Sequence, residues 1–214
     1  MNKIIDIVLK NFCNDHRRNL MEQEIYKLFI SQCKNIEYLC WTTHQPLTLF
    51  LRASIFFSQL HHLYIDIDTV NSDALNELAQ ICKDLNALSI KSCSRNIPVL
   101  FYLIDVQRNL KELNLHAKVD EKTGKELSKA LRNRTTINSL CLESIDNIEL
   151  SSLTTLVNLK KLTILENYEE IQQYLAIYEF PSLQQLILLT PDYPIFMRFP
   201  INLKNYRKYF GNLH

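Results

Sequence analysis

A six-residue pattern that recurs seven times constrains this 214-residue chain more than any other feature. The pattern consists of an apolar residue, two variable residues, a leucine, one variable residue and a second apolar residue. Its intervals are 24, 25, 25, 27, 22 and 24 residues, counted between first positions at Ile36, Leu60, Leu85, Leu110, Ile137, Leu159 and Leu183. One such hexamer would carry no weight, because leucine and isoleucine are common. Seven in register indicate an internal repeat.

Each hexamer predicts a short β-strand with one buried face. Side chains alternate between the faces of a strand, so the leucine and the apolar residue two positions later point together into a core. The stretches between the hexamers predict helices at 73–81, 125–131 and 168–178. In the first of these, Leu75, Leu78 and Ala79 share one face, and Asn71 or Ser72 is the candidate N-cap. The interval 144–157 has room only for a short helix. Strands that alternate with helices predict a parallel sheet covered by helices on one side.

The repeats resemble a known family. The run Cys82-x2-Leu85-x2-Leu88-x-Ile90-x2-Cys93 resembles the cysteine-containing leucine-rich repeat of F-box proteins. The stretch from Cys33 to Leu39 repeats its first half, and the stretch from Gly124 to Leu131 is similar to the ribonuclease-inhibitor type. The resemblance covers about residues 20–190 and implies an α/β leucine-rich-repeat solenoid, a right-handed ribonuclease-inhibitor-like superhelix of about seven parallel strands.

The resemblance has one systematic departure. The family places Asn or Cys eight positions after the first apolar residue, and here only Cys93 and Asn167 conform. The other five positions hold His44, Asp68, Lys118, Ile145 and Pro191. We therefore expect the ladder of bonds from these side chains to neighbouring backbone groups to be incomplete.

The two ends of the chain differ from the repeats, and together they predict one domain with three parts. Residues 1–32 are the expected helical N-terminal cap, 33–190 the leucine-rich repeats and 191–214 a C-terminal closing segment. The cap prediction rests on two helical stripes, Ile4, Ile5, Val8, Leu9 and Phe12, then Met21, Ile25, Leu28 and Phe29.

The resemblance implies a non-enzymatic protein-recognition module, similar to the substrate-receptor repeats of an F-box protein in a cullin-based ubiquitin ligase. An F-box begins with a proline-containing hydrophobic segment, whereas the first proline here is Pro46, already inside the repeats. Two alternatives follow. Either the chain is a fragment of a longer F-box protein, or it is a free-standing scaffold or decoy that binds a protein without a role in ubiquitination. A cullin-ligase adaptor is expected as a partner only if an F-box is supplied elsewhere.

The strand register predicts which residues face away from the core, two, four and six positions after each first residue. A solenoid uses this concave face to bind proteins. The candidate protein-binding residues are Tyr38, His62, Tyr64, Asp66, Lys91, Glu112, His116 and Glu143. Towards the C-terminus the same face becomes an apolar strip, which the segment 191–210 is expected to cover, formed by Thr163, Leu165, Ile187 and Leu189.

Composition argues against several other functions. The 24 basic and 23 acidic residues leave a net charge of +1, without the excess of basic residues typical of nucleic-acid binders. Only two glycines occur, too few for a phosphate-binding loop. No apolar run approaches the roughly 18 residues that span a membrane. We therefore expect a protein partner, and neither nucleic acid nor membrane.

Catalytic, metal and cofactor sites have no recognisable motif. His61 and His62 are adjacent strand residues that point to opposite faces, so we expect them not to share an ion. No Cys-x-x-Cys or His-Glu-x-x-His occurs, and no serine lies in a nucleophile elbow. The six cysteines are compatible with disulfides, but their place in apolar patterns favours buried thiols in a reducing compartment, the cytoplasm or nucleus. We expect no enzyme, no metal and no cofactor.

Overall fold

The computed structural model describes residues 15–92, 98–132, 134–166, 180–189 and 194–195. Its centre is a single sheet in which the strands follow one another in chain order. Seven strands pair in parallel, as predicted: β1 Tyr38–Trp41, β2 His62–Ile65, β3 Ala87–Ile90, β4 Glu112–Leu115, β5 Ser139–Leu142, β6 Lys161–Ile164 and β7 Gln185–Leu189. A two-residue strand, β8 Pro194–Ile195, adds an antiparallel pair that the sequence did not predict. The architecture is α/β and is consistent with a solenoid.

The register aligns the repeats residue by residue. Leu39 pairs with Leu63, Leu63 with Leu88, and the same position continues as leucine through to β7. Two residues later, a second apolar column runs from Trp41 to Leu188. Every member of both columns is buried. The prediction of which strand residues form the core is confirmed.

Helices connect most of the strands and cover the core side of the sheet. Beyond β1 the chain also forms a short 3-10 helix, Leu47–Leu49. The α-helices are α1 Asp15–Gln32, α2 Ala53–Ser58, α3 Ser72–Ile81, α4 Pro98–Asp105, α5 Glu121–Leu131 and α6 Leu150–Thr154.

Two of the three predicted helices, 73–81 and 125–131, lie in the described residues and occur there with shifts at their starts. The N-cap of α3 is Asn71, whose side chain accepts from the Asp73 N–H at 2.6 Å, so the alternative Ser72 becomes the first helical residue. Helix α5 begins four residues earlier than predicted, because Asp120 caps it by accepting from the Thr123 N–H at 2.7 Å. Helix α6 has five residues, as short as expected.

Helix α4 was not predicted, and the reason is chemical. It begins with Pro98, which is tolerated in the first turn because that N–H has no helical partner. Its sequence is so apolar that it lacks the contrast between faces by which an amphipathic helix is recognised.

The N-terminal stripe was predicted only in part. Met21 and Leu28 are exposed, and the core side of α1 is formed by Tyr26 and Ile30, four residues apart, with Ile25 partly buried beside them. The buried face therefore includes a tyrosine that the stripe of purely apolar residues left out. Outside the described residues lie the first stripe at 4–12, the predicted helix 168–178, and the closing segment apart from 194–195.

Buried polar side chains connect successive returns, the segments that lead from one strand to the next on the helix side of the sheet. Gln107 donates from Nε2 to the Cys82 and Leu103 carbonyls at 2.8 and 2.9 Å, and its Oε1 accepts from the Leu85 N–H at 3.0 Å. Ser128 donates to the Gly124 carbonyl at 2.8 Å and accepts from the Glu149 N–H at 2.9 Å. These side chains satisfy backbone groups of neighbouring repeats; Cys93 and Asn167, the two residues that conform to the family's Asn or Cys position, lie outside the described residues.

Gly124 lies where two returns approach each other closely. A Cβ atom added there would lie 2.0 Å from the Asn147 carbonyl oxygen. The side chain of Asn147 in turn donates to the Val119 carbonyl at 2.7 Å, which fixes this contact. Any larger residue at position 124 would force α5 away from the next return.

Candidate functional site

The face of the sheet opposite the helices is formed by the alternate strand residues and the residue after each strand; we call it the open face. Pairing and burial place the predicted outward residues of the strands there, because they alternate with the buried core residues along each strand. By residue type and exposure, the described part of the open face has three regions. They are aromatic and polar residues on β1 to β4, polar residues at the ends of β4 and β5, and an apolar strip on β6 and β7.

Three aromatic side chains form what we call the aromatic patch: Tyr38, His62 and Tyr64. Tyr38 and His62 are paired in register on β1 and β2, and their ring centroids are 6.5 Å apart at an interplanar angle of 33°. Tyr38 is 60 % exposed although its ring is large and partly apolar. Partial desolvation is the largest cause that raises the pKa of Tyr38, and the nearby Cys40 and Tyr64 add to it. The hydroxyl is therefore protonated and able to donate at neutral pH.

Asp66 corrects the prediction, because it is not an exposed contact residue. It is only 6 % exposed, with its Oδ2 accepting from Lys91 Nζ at 3.2 Å and its Oδ1 from the Asp68 N–H at 3.2 Å. The chain turns directly after β2 and covers the carboxylate. Lys91 keeps about half of its side chain exposed, and the hydrogen bond with Asp66 raises the pKa of Lys91. The opposite charges of Lys91 and Asp66 therefore cancel at this edge of the open face.

The outward residues within β3 are small, and longer side chains stand beside them on β2 and β4; we call this strip the β3 trough. Its floor consists of Ala87 and Ser89, two small residues that the sequence analysis placed on this face without assigning them a role. By register, the aromatic side chains His62 and Tyr64 on β2 form one wall. Glu112 and Asn114 on β4 form the other wall, and Asn114 donates from Nδ2 to Ser89 Oγ at 3.0 Å.

Glu112 differs from the other polar residues in the trough and at its end. Asn114 and Ser89 bond to each other, and Asp66 and Lys91 form an ion pair. Glu112 is exposed, and no described residue forms a hydrogen bond or ion pair with it. The trough therefore has one free negative charge.

His116 and Glu143 lie apart from the aromatic patch. They follow the register pair Leu115 and Leu142, one residue beyond the ends of β4 and β5. His116 is exposed and Glu143 half-buried. Neighbouring Lys118 pairs with Glu166 at 2.6 Å, and this bond raises the pKa of Lys118, with a smaller contribution from Glu143. The eight predicted residues thus fall into two sets of four. One set lies within the strands β1, β2 and β4, and the other forms a row just beyond the ends of β2 to β5: Tyr38, His62, Tyr64 and Glu112; Asp66, Lys91, His116 and Glu143.

The predicted apolar strip lies towards the C-terminal ends of β6 and β7, beyond Lys161 and Gln185 at their first positions. Leu165, Ile187 and Leu189 are half-buried and Thr163 is 8 % exposed, so this strip is less accessible than the aromatic patch. The segment expected to cover this strip lies outside the described residues.

Some of the described histidine and tryptophan side chains make structural contacts. His61 Nδ1 lies 3.2 Å from the Asp84 carbonyl oxygen, while its neighbour His62 lies on the open face. Trp41 is fully buried, and its ring stacks on that of Phe57 with the centroids 5.8 Å apart. It donates to the Thr43 carbonyl, so it packs in the core as predicted. Among the described residues, no three His, Cys, Asp or Glu side chains are grouped to hold a metal ion.

The four described cysteines are free thiols, and only Cys82 is fully buried. Burial raises the pKa of Cys82 to about 12, and the nearby Asp84 adds to this effect. Burial likewise raises the pKa of Cys141. Both sulfurs are therefore protonated near neutral pH, a state that neither attacks a substrate nor binds a metal.

In the part of the chain that the structure describes, none of the helices has the length and apolar character needed to cross a bilayer. Comparison with family models, with curated proteins and with solved structures finds no match for this chain.

Proposed function

We propose that this chain is a leucine-rich-repeat protein that recognises a protein partner through the N-terminal half of its open face and catalyses no reaction. The repeat assignment is supported by seven parallel strands in chain order, by the 22- to 27-residue spacing of the hexamers and by the two aligned columns of buried apolar residues. In a leucine-rich-repeat solenoid the open face is concave and presents one row of side chains per repeat to a partner.

The observation that carries the proposal is the exposed aromatic patch. A folded chain gains free energy by burying large rings, yet Tyr38 remains 60 % exposed beside His62 and Tyr64. Tyrosine provides a large contact area and a hydroxyl at low entropic cost, and it is enriched among the residues that dominate binding energy. The patch has the composition of the centre of a protein interface.

The resemblance to F-box repeats extends the proposal to a biological role. As the substrate receptor of a cullin-based ubiquitin ligase, the chain would select the protein to be marked, with an F-box supplied elsewhere. The alternative is a free-standing scaffold or decoy. Sequencing the transcript upstream of Met1 separates the two, because an in-frame F-box supports the ligase role and a stop codon supports the alternative. The four described free thiols support a reducing compartment, the cytoplasm or nucleus, in either case.

Alanine substitutions in the aromatic patch test the proposed interface. The partner is first isolated by affinity purification and mass spectrometry, and its affinity is then measured with purified proteins. Tyr38→Ala and Tyr64→Ala should each weaken binding by roughly 1–2 kcal/mol, the loss typical of interface tyrosines. Their melting temperatures should stay near that of the wild type, because neither ring is fully buried.

Tyr102 provides a matched control. It is 45 % exposed and lies on α4, on the helix side of the sheet. Tyr102→Ala removes the same atoms from the surface and should leave partner affinity unchanged. If Tyr64→Ala retains both its melting temperature and the wild-type affinity, the aromatic patch is not the interface.

A further inference from the structure

We propose that the β3 trough binds a positively charged side chain, Arg or Lys, of the protein partner. This inference rests on the proposed function and names the chemistry of the partner residue. It is carried by three features of the trough: a free carboxylate, an aromatic wall and a floor of small residues.

The charge of the trough favours a cation. Lys91, the positive residue directly after β3, is already neutralised by Asp66 at 3.2 Å. Glu112 has no such partner among the described residues. In the same register row the next lysine is Lys161 on β6, two strands away and therefore about 10 Å distant along the sheet. The negative charge that remains on this part of the face is that of Glu112.

The aromatic wall contributes to the same preference. The face of a tyrosine ring attracts a cation, and Arg stacks on such rings more often than Lys. His62 and Tyr64 stand on β2, across β3 from Glu112 and Asn114 on β4. A guanidinium in the trough can therefore contact a ring on one side and form a bidentate hydrogen bond with the Glu112 carboxylate on the other.

The floor leaves room for this side chain. Ala87 separates His62 from Glu112 in one register row, and Ser89 separates Tyr64 from Asn114 in the next. The backbones of β2 and β4 are two strand spacings apart, about 10 Å. A long residue at position 87 would fill this space, whereas alanine leaves it open to a partner side chain.

Selection from a random peptide library displayed on phage provides an unbiased test with the whole chain as bait. The baits are the wild type, Glu112→Gln, Tyr64→Ala and, as a control, Glu121→Gln, which alters an exposed glutamate of α5 on the other side of the sheet. The melting temperature of each bait is measured first. We expect the wild type and the control to enrich peptides with an Arg or Lys at one shared position.

Synthetic copies of the enriched peptides then give affinities. Replacing the shared arginine by its neutral isostere citrulline should weaken binding to the wild type about fivefold to tenfold, as should Glu112→Gln. Both losses should shrink as salt rises from about 0.05 M to about 0.5 M, because salt screens exposed charges.

The possible failures are distinguishable. Neutral or acidic peptides whose binding is lost in Tyr64→Ala would overturn the cation site and leave the proposed interface standing. Peptides that bind the wild type, Tyr64→Ala and Glu112→Gln equally well would overturn both. A selection that yields no peptide above background would also overturn the cation site.

Discussion

On the sheet side, every strand from β1 to β7 places the same two positions in the core, whereas on the helix side each return has its own length and its own polar contacts. Helix α5 has 11 residues and α6 only five, yet the strands that follow them remain in register. Leu88 and Leu140 have equivalent surroundings, but the position three residues before each hexamer varies: Gln107 and Arg134 there donate to a carbonyl of the preceding repeat, whereas Phe57 and Leu156 are apolar.

The difference shows which interactions can repeat. Apolar burial is non-directional, so identical leucines stack in a column without any adjustment of geometry. A buried hydrogen bond requires a donor and an acceptor at a fixed distance and angle, and returns of unequal length meet that requirement in different ways. Substitutions in the columns should therefore have uniform effects, and those in the returns should depend on position.

The largest expected effect comes from reversing the polarity of a column. Leu88→Asp places a carboxylate where the side chain is 0 % exposed, at a cost of several kcal/mol, comparable to the whole stability of a typical domain. We expect loss of cooperative unfolding in circular dichroism.

The neighbouring residue is the control for this prediction. Ser89→Asp introduces the same carboxylate on the open face, where it can accept from Asn114, and should fold. If Leu88→Asp unfolds cooperatively at the wild-type midpoint, the assignment of this column to the core is wrong.

A smaller but local effect is expected from Gln107→Leu. The leucine is similar in size but leaves the Leu85 N–H and the Cys82 and Leu103 carbonyls without their bonds from this side chain. Because an unsatisfied buried polar group costs about 1–3 kcal/mol, we expect a loss of roughly 2–4 kcal/mol in chemical denaturation. Gln80→Leu, on the exposed face of α3, should change stability by less than about 0.5 kcal/mol. Equal effects of the two would show that Gln107 is not a bridge.

This comparison also explains what the sequence could predict. The period of two along each strand reports directly on burial, so the columns and the residues of the open face followed from the hexamers alone. Asn71 was recognisable as a cap because a cap acts on backbone groups two or three residues away.

Gln107 and Ser128 were not recognisable, since glutamine and serine are mostly surface residues and the N–H groups that they bridge to, those of Leu85 and Glu149, lie more than 20 residues away. Asp66 was expected to be exposed for a similar reason. Its register position faces away from the core, but the turn after β2 and the side chain of Lys91 cover it. The trough over β3 likewise depends on which side chains meet across three strands, and a single repeat contains only one of its walls.

The smallest expected effects come from the two helix caps, Asn71 and Asp120. Both accept a hydrogen bond from a backbone N–H of the first turn, one through an amide and the other through a carboxylate. Asn71→Ala removes the acceptor for the Asp73 N–H and should cost about 1 kcal/mol, while Asn71→Ser should retain most of the stability. This loss should be the same at every pH, since an amide does not titrate.

Asp120 caps α5 as a carboxylate, and its contribution should depend on pH. Hydrogen bonds from the Thr123 hydroxyl and then from the Thr123 N–H lower the pKa of Asp120 below its ordinary value in the unfolded chain. A lowered pKa in the folded state means that the stabilisation is complete above the unfolded-state pKa, about 3.9, and is lost as pH falls through the folded-state pKa. The difference in unfolding free energy between the wild type and Asp120→Ala should therefore be constant near neutral pH and shrink below about pH 4. Urea denaturation of both proteins across this range measures it, and a difference that does not change on acidification would show that Asp120 does not cap α5 as an ionised group.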